Sequence, residues 1–200
     1  MKRVLGCGVF GLVFAVVVIA VLGWGIAAYN RIVRQDVAVA QSWSQVESAY
    51  QRRLDLIPNL VETVKGAANF ERSTLDAVVA ARARATQIVL SPEIVNDPAK
   101  FREFQQVQGA LGSALSRLIA TVEAYPELKA TANFGTLQEQ IEGTENRINV
   151  ERRRFNEAVG TYNAAIRVFP GSLVAGLFGF GAKAFFESDS GAEKAPQVKF

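Results

Sequence analysis

The fold of this chain is decided by residues 134–169, which read FGTLQEQIEGTENRINVERRRFNEAVGTYNAAIRVF. Apolar residues and one threonine recur there at steps of three, four or seven, which is the spacing of one side of an α-helix. The other side is polar and charged, so other helices must cover the apolar side, and the sequence predicts a helical bundle. The residues of the stripe are Phe134, Leu137, Ile141, Thr144, Ile148, Phe155, Val159, Tyr162, Ile166 and Phe169.

Three other segments repeat this pattern and are predicted to supply the covering helices. They are residues 31–57, 58–89 and 98–125. Pro58 is expected to end the first helix and to lie in the first turn of the second, because proline lacks the N–H that a helix interior needs. Asp97 is the expected N-cap of the third helix, and Asn133 that of the fourth. Glu71 and Arg82 interrupt the apolar side of the second helix. They are expected to reach solvent, and the alternative is that they meet partners at an interhelical edge.

Short connections between these helices favour antiparallel neighbours. The predicted fold class is therefore all-α: a single N-terminal transmembrane helix in residues 1–30, followed by an antiparallel up-and-down four-helix bundle in residues 31–169. An even number of helices returns residue 169 to the membrane side, where Tyr29 lies. The predicted core residues are Trp43, Tyr50, Leu60, Val64, Leu111, Leu115, Leu118, Ile141, Ile148, Phe155 and Tyr162.

The N-terminal segment is predicted to be a membrane anchor. Residues 4–30 carry no charge, and residues 9–26 are almost wholly apolar or glycine, which is long enough for one crossing at about 20 residues. A cleaved signal peptide is the alternative, since Lys2 and Arg3 form a basic start, but the length of the apolar run and its aromatic exit favour an uncleaved anchor. The predicted anchor residues are Val9, Leu12, Phe14, Val17, Ile19, Leu22 and Trp24.

The orientation of the anchor is weakly determined by charge. Lys2 and Arg3 precede the apolar run, and Arg31 and Arg34 follow it. The two flanks carry the same positive charge, so the positive-inside rule does not favour either orientation. The first pair adjoins the apolar run, and this favours a cytoplasmic N-terminus and an extracytoplasmic bundle.

A second apolar segment follows the bundle. Residues 168–182 carry no charge but are too short to span a bilayer. Three small residues at intervals of four allow helix backbones to approach closely in lipid, so residues 170–187 are predicted to lie at the membrane interface, or against the anchor of their own or a neighbouring chain. The alternative is an apolar plug that folds back over the bundle. Residues 188–200 are predicted to be disordered. The residues assigned to this membrane-proximal or oligomer contact are Gly171, Ala175, Gly179, Phe180, Phe185 and Phe186.

Composition excludes several kinds of site. The 200 residues contain no histidine, which removes most zinc and haem sites and all catalysis by a histidine base, and the single Cys7 cannot form an intrachain disulfide. Two of the 22 basic residues precede the anchor, which leaves 20 against 19 acidic residues. The basic run at residues 152–154 is flanked by Glu151 and Glu157 and indicates a solvated helix face, so no nucleic-acid partner is expected. No cofactor, metal or catalytic residue is predicted.

Several motifs of the chain resemble those of the LemA family. The most specific runs are RRLDLIPNLV at residues 52–61, EAYPELK at residues 123–129 and EGTENRI at residues 142–148. The resemblance covers residues 29–187 and departs at Phe155-Asn156, where the family usually has Tyr-Asn. The shorter matches are YN at 29–30 and 162–163, WS at 43–44, AR at 81–82, LSRL at 115–118, NF at 133–134 and FP at 169–170.

The resemblance implies an N-terminally anchored protein of the bacterial inner or cell membrane with an antiparallel helical domain. The family has no agreed activity and no recognised catalytic residues, so none is carried over to this chain. It also implies a role in membrane organisation or envelope homeostasis. A membrane-associated peptidase or a TPM-domain protein is implied as a partner.

Three functions remain open on the sequence. The favoured one is a non-catalytic, membrane-anchored interaction or scaffold protein that contacts membrane lipid, a protein partner and a second copy of itself. The second is lipid binding or membrane shaping through residues 169–186. The third is a metal- or carboxylate-dependent activity that uses Glu142 and Glu145, which are neighbours on the fourth helix, or Asn59 and Glu62 on the second.

Overall fold

A computed structural model of the chain describes residues 2–66, 70–89 and 91–187, with side chains from residue 11 onward. These residues are helical almost throughout and include no strand. The predicted disorder of residues 188–200 and the side chain of Val9 lie outside the described residues. The helices are α1 (Lys2–Lys65), α2 (Arg72–Gln87), a 3-10 helix (Pro92–Asn96), α3 (Pro98–Val122), α4 (Pro126–Lys129), α5 (Ala132–Arg167) and α6 (Gly171–Phe178).

The predicted break at Pro58 is wrong. Helix α1 continues through Pro58 to Lys65, and the next helix begins only at Arg72. A proline inside a helix leaves the carbonyl four residues earlier without its N–H donor. That carbonyl belongs to Leu54, and it accepts a hydrogen bond from Nε of Arg82 on α2 at 3.2 Å.

Arg82 therefore compensates for the proline. It is half-buried and bonded to the backbone of another helix, which matches the alternative of a partner at an interhelical edge. Glu71 is exposed, as expected, and accepts a hydrogen bond from the Ser73 hydroxyl at 2.6 Å.

Helix α3 begins where the sequence predicts. The Asp97 side chain accepts from the backbone N–H of Ala99 at 3.0 Å and of Lys100 at 3.2 Å, and Pro98 occupies the first turn. These bonds favour the ionised carboxylate, and the bond from Lys100 lowers the pKa of Asp97 most. The fourth long helix begins at Ala132, two residues earlier than an N-cap at Asn133 predicts, and the Thr131 hydroxyl accepts from the N–H of Phe134, at 3.4 Å.

The chain divides into two compact units. The membrane-side unit, named for the predicted anchor that it contains, comprises residues 2–41 and 157–182, and the helical-core unit comprises residues 42–66, 70–89, 91–156 and 183–187. Helices α1 and α5 contribute to both.

The helical-core unit buries a continuous apolar cluster from α1, α2, α3, α4 and α5. Ten of the eleven predicted core residues belong to this unit, and all ten are buried. The eleventh, Tyr162, is buried in the membrane-side unit. The same unit also buries a group of aromatic residues around Trp43 on α1, whose ring lies 5.5 Å from the ring of Phe104 and 5.5 Å from that of Phe155.

The membrane-side unit packs the first part of α1 against the end of α5 and against α6. The Trp24 ring lies 5.1 Å from that of Phe169, and the Tyr29 ring lies 4.8 Å from that of Phe178. Residue 169 is thus beside the end of the anchor, as the sequence predicts. The buried residues of this unit include Ile32, Val39, Val159, Tyr162, Ile166 and Val174.

Candidate membrane interface and interaction sites

Helix α1 contains an apolar surface that is long enough to cross a membrane. By length and composition one helix among the described residues meets this criterion; its window has a mean hydropathy of 2.5, and none of that window is buried. The predicted anchor residues Leu12, Phe14, Val17, Ile19, Leu22 and Trp24 are all exposed.

Helix α6 adds a second exposed apolar surface to the same unit. Leu173, Leu177 and Phe178 are all exposed, and Leu177 is the most exposed of them at 82%. The opposite side of the helix, with Val174 and Ala175, is buried. Exposed apolar residues grouped on one short helix indicate contact with lipid or with another protein.

The small residues of α6 have two different roles. A Cβ on Gly171 would come within 1.9 Å of the Ala165 carbonyl oxygen, so this position requires glycine for the approach of α6 to α5. Gly179 has a φ of 75° and ends the helix in the left-handed conformation, which glycine adopts without strain. The spacing of four residues therefore marks one close approach and one helix end rather than a continuous packing stripe.

Tyr162 fixes the chain after α6. Its hydroxyl donates to the Gly181 carbonyl at 3.1 Å. Burial, together with the nearby Asp36 carboxylate, raises the pKa of Tyr162 to about 12, because both disfavour the ionised phenolate.

Residues 183–187 form an extended strap on the helical-core unit. The Asn156 side chain binds the backbone of Phe186 twice: its amide group donates to the carbonyl and its oxygen accepts from the N–H, each at 2.9 Å. Gln105 accepts from the N–H of Glu187 at 3.0 Å, and Arg152 donates to the carbonyl of the same residue at 3.1 Å. These four hydrogen bonds are all made to the backbone of the segment.

The ring of Phe186 completes the aromatic core. It lies 4.9 Å from the ring of Phe101 and 5.5 Å from that of Phe155, and the Arg152 guanidinium lies over its face at 4.8 Å. Phe186 is 5% exposed. This differs from the membrane-proximal position assigned from the sequence and matches the alternative of a segment folded back on the helices; the neighbouring Phe185 remains exposed.

A buried arginine joins three helices of the helical-core unit. Arg53 on α1 is 3% exposed; its Nη1 donates to Glu145 Oε1 of α5 at 2.8 Å, and its Nη2 donates to both oxygens of Gln108 on α3. The sequence reasoning missed Arg53. Gln108 was visible as a polar residue on the otherwise apolar stripe of α3, which is the signal that could have found this network.

The carboxylates predicted for metal or acid–base chemistry have other partners. Glu145 binds Arg53, and Glu142 accepts from the Gln138 amide at 2.9 Å. In the other candidate pair, Glu62 forms an ion pair with Lys65. Among the described residues no group of three metal-ligating side chains is brought together.

A further carboxylate of α5 is buried and doubly paired. Glu151 binds Arg147 at 2.7 Å and Arg154 at 3.1 Å. The first of these pairs follows from the sequence spacing, whereas the burial of Glu151 does not.

Comparison with known proteins finds a matching family and several relatives of this chain. The sequence profile of the LemA family matches residues 42–200. The chain belongs to the LemA family. It is also similar to the magnetosome protein MamQ 2 of Paramagnetospirillum magneticum, with 25% identity over 186 residues that cover 85% of this chain and 68% of the relative.

Two further relatives are similar at comparable levels. MamQ of Magnetospirillum gryphiswaldense is 26% identical over 79% of this chain and 64% of its own length. Protein LemA of Metamycoplasma hominis is 23% identical over 73% of this chain and 63% of its own length. The chain thus spans slightly less than two thirds of these two relatives. The predicted family membership is confirmed.

Proposed function

We propose that this LemA-family protein is a non-catalytic, membrane-anchored interaction or scaffold module. In this proposal α1 holds the chain in a bacterial cell membrane, and the helices of residues 31–169 form an antiparallel four-helix bundle on the extracytoplasmic side. The supporting observation is that one unit exposes apolar residues on both α1 and α6, whereas the other buries most of its aromatic rings and pairs its candidate catalytic carboxylates.

The proposed partners are membrane lipid and at least one protein. A membrane-associated peptidase, a TPM-domain protein and a second copy of this chain are the proposed protein partners, and no nucleic-acid partner is proposed. The similarity to magnetosome proteins supports a role in the organisation of the membrane or envelope.

Crosslinking in native bacterial membranes, followed by mass spectrometry, tests this function. We expect crosslinks from exposed lysines of the helical-core unit, such as Lys100, to a recurring protein or to a second copy of the chain. Crosslinks that lie only within one chain, across repeated preparations, would contradict a scaffold role. Modification of Lys100 by a membrane-impermeant reagent on intact cells tests the proposed orientation in the same samples.

Lipid binding through residues 169–186 is a second candidate, favoured by the exposure of Leu173, Leu177 and Phe178. Its test is the curvature of vesicles that carry the full chain, compared with vesicles that carry a Leu177→Asp variant. A role in membrane shaping predicts deformation by the unaltered chain only, and equal deformation by both would contradict it.

A further inference from the structure

Three exposed arginines of the membrane-side unit lie close to the apolar run of α1. Arg31 and Arg34 follow Ile26, the last large apolar side chain exposed on the predicted anchor, and at 1.5 Å per residue they lie about 8 and 12 Å beyond it along the helix axis. Arg167 is the last residue of α5. Among the described residues none of the three side chains has a hydrogen bond or an ion pair. All three guanidinium groups are therefore available to a ligand.

Contacts within the unit place Arg167 at the same height along α1 as the other two arginines. The Trp24 ring of α1 contacts the ring of Phe169. Further along α1, Asp36 lies near Tyr162 of α5. The two helices thus run in opposite directions, and Arg167 lies opposite the stretch of α1 that contains both other arginines. A membrane surrounds an anchor on every side, so groups at one height meet the same layer of lipid.

Positive charge exceeds negative charge at this height. The acidic residues of this unit, within residues 11–41 and 157–182, are Asp36 and Glu157. Glu157 lies ten residues before Arg167, which is about 15 Å away along α5. Asp36 is half-buried and near the Tyr162 hydroxyl. Three positive charges and this one negative charge leave a net charge of +2 beside the anchor.

Large apolar side chains are exposed next to these charges. Val168 and Phe169 follow Arg167 directly, and both are more than half exposed, as is Leu177 on α6. Apolar surface beside basic side chains is typical of protein segments that lie where acyl chains meet charged headgroups. A second copy docked through the same surface would bring like charges together, which disfavours it as the occupant.

We propose that Arg31, Arg34 and Arg167 bind the headgroups of anionic phospholipids through their phosphate oxygens, so that the chain selects negatively charged lipid around its anchor. The planar guanidinium group can bind two such oxygens at once. This inference rests on the proposed anchoring by α1 and adds the class of lipid that the anchor recruits. The attraction is electrostatic and weakens at high salt, because salt screens exposed charges.

The test uses the full chain in vesicles and the fluorescence of Trp24. The chain has two tryptophans; Trp43 is fully buried, whereas Trp24 is 50% exposed and accessible to a quencher in the lipid. Brominated phosphatidylglycerol, which is anionic, and brominated phosphatidylcholine, which has no net charge, are each mixed with unbrominated phosphatidylcholine. From the contribution of one arginine near an anionic surface, we expect an association ratio of at least about fivefold in favour of phosphatidylglycerol.

A triple variant makes the test specific to the arginines. Arg31→Gln, Arg34→Gln and Arg167→Gln together should bring the association ratio close to one. Arg153→Gln, at an exposed position of α5 in the helical-core unit, is the matched control and should keep the ratio of the unaltered chain.

Two results would overturn the proposal and leave the anchoring intact, because Trp24 would still meet lipid. They are equal quenching of the unaltered chain by both brominated lipids, and an unchanged ratio in the triple variant. Quenching by neither lipid would show that protein covers this surface. That result would overturn the proposal and would contradict the anchoring by α1 as well.

Discussion

The two units of this chain treat the same kinds of residue in opposite ways. In the helical-core unit the rings of Phe101, Phe104 and Phe155 are fully buried, whereas in the membrane-side unit Phe169 and Phe178 are more than 60% exposed. Both groups consist of phenylalanines, so residue type alone does not distinguish the buried rings from the exposed ones. Apolar residues that stay exposed on a folded unit indicate a surface for lipid or for another protein, and here that surface belongs to the unit that contains the predicted anchor.

The strongest test of this comparison removes one ring from each unit. Phe155→Ala should lower the free energy of unfolding by about 3–5 kcal/mol, because it leaves a cavity among Trp43, Phe101 and Phe186. Phe178→Ala is the matched control and should change it by less than about 1 kcal/mol. Denaturant unfolding in micelles, followed by tryptophan fluorescence, measures both. Similar losses for the two variants would remove the distinction between the units.

A second test concerns the strap, which contributes Phe186 to the buried phenylalanines of the helical-core unit. Asn156→Ala removes two hydrogen bonds to the Phe186 backbone and should destabilise the helical-core unit by about 1–3 kcal/mol. Asn146→Ala, at an exposed position of the same helix, should be nearly neutral. The same unfolding assay compares them, and an equal effect of both would show that the strap contributes little.

A third test addresses the uninterrupted α1. Arg82→Met keeps much of the side-chain volume but removes the donor to the Leu54 carbonyl, so we expect a loss of about 1 kcal/mol. Pro58→Ala should reduce that loss, since alanine supplies its own N–H to the same carbonyl. Arg84→Met, an exposed position on α2, is the control. Additive effects of Arg82→Met and Pro58→Ala would contradict this account.

A fourth test is a pH dependence of stability in the membrane-side unit. The unfolded chain releases the Tyr162 proton near pH 10, whereas the folded chain retains it up to about pH 12. The folded state therefore binds one more proton between these values, and stability should fall as the pH rises through this window. The pH-dependent loss should be smaller in a Tyr162→Phe variant when thermal unfolding is followed from pH 9 to pH 12. If stability depends on pH in the same way with and without the Tyr162 hydroxyl, burial does not raise the pKa of this phenol.

Local and periodic features of the fold were predictable from the sequence. The stripe of α3, its Asp97 cap, the apolar anchor and the return of residue 169 to its side all follow from spacing and capping rules. The continuation of α1 through Pro58 was not, because the compensating donor lies 28 residues away on another helix. Sequence periodicity does not reveal a tertiary hydrogen bond of this kind.

The candidate sites were harder to predict from the sequence for the same reason, since their contacts join residues that are far apart in the chain. Phe185 and Phe186 are adjacent phenylalanines, and the contacts that bury one of them are long-range, such as the two bonds from Asn156, 30 residues earlier. Gln108 was apparent as a polar interruption of an apolar stripe, but its partner Arg53 lies 55 residues away on a face that reads as solvated. The surface of α6 was predicted as apolar, and its exposure required the structure.

Lipid accessibility is the most direct test of the claim that only the membrane-side unit faces the bilayer. Nitroxide labels at Leu177→Cys and, for comparison, at Glu139→Cys would be placed in a Cys7→Ser background and the chain reconstituted in vesicles. Collision with oxygen and with a water-soluble nickel complex is then measured by electron paramagnetic resonance. The account predicts high oxygen and low nickel accessibility at position 177, and the reverse at position 139. High nickel accessibility at position 177 would contradict it.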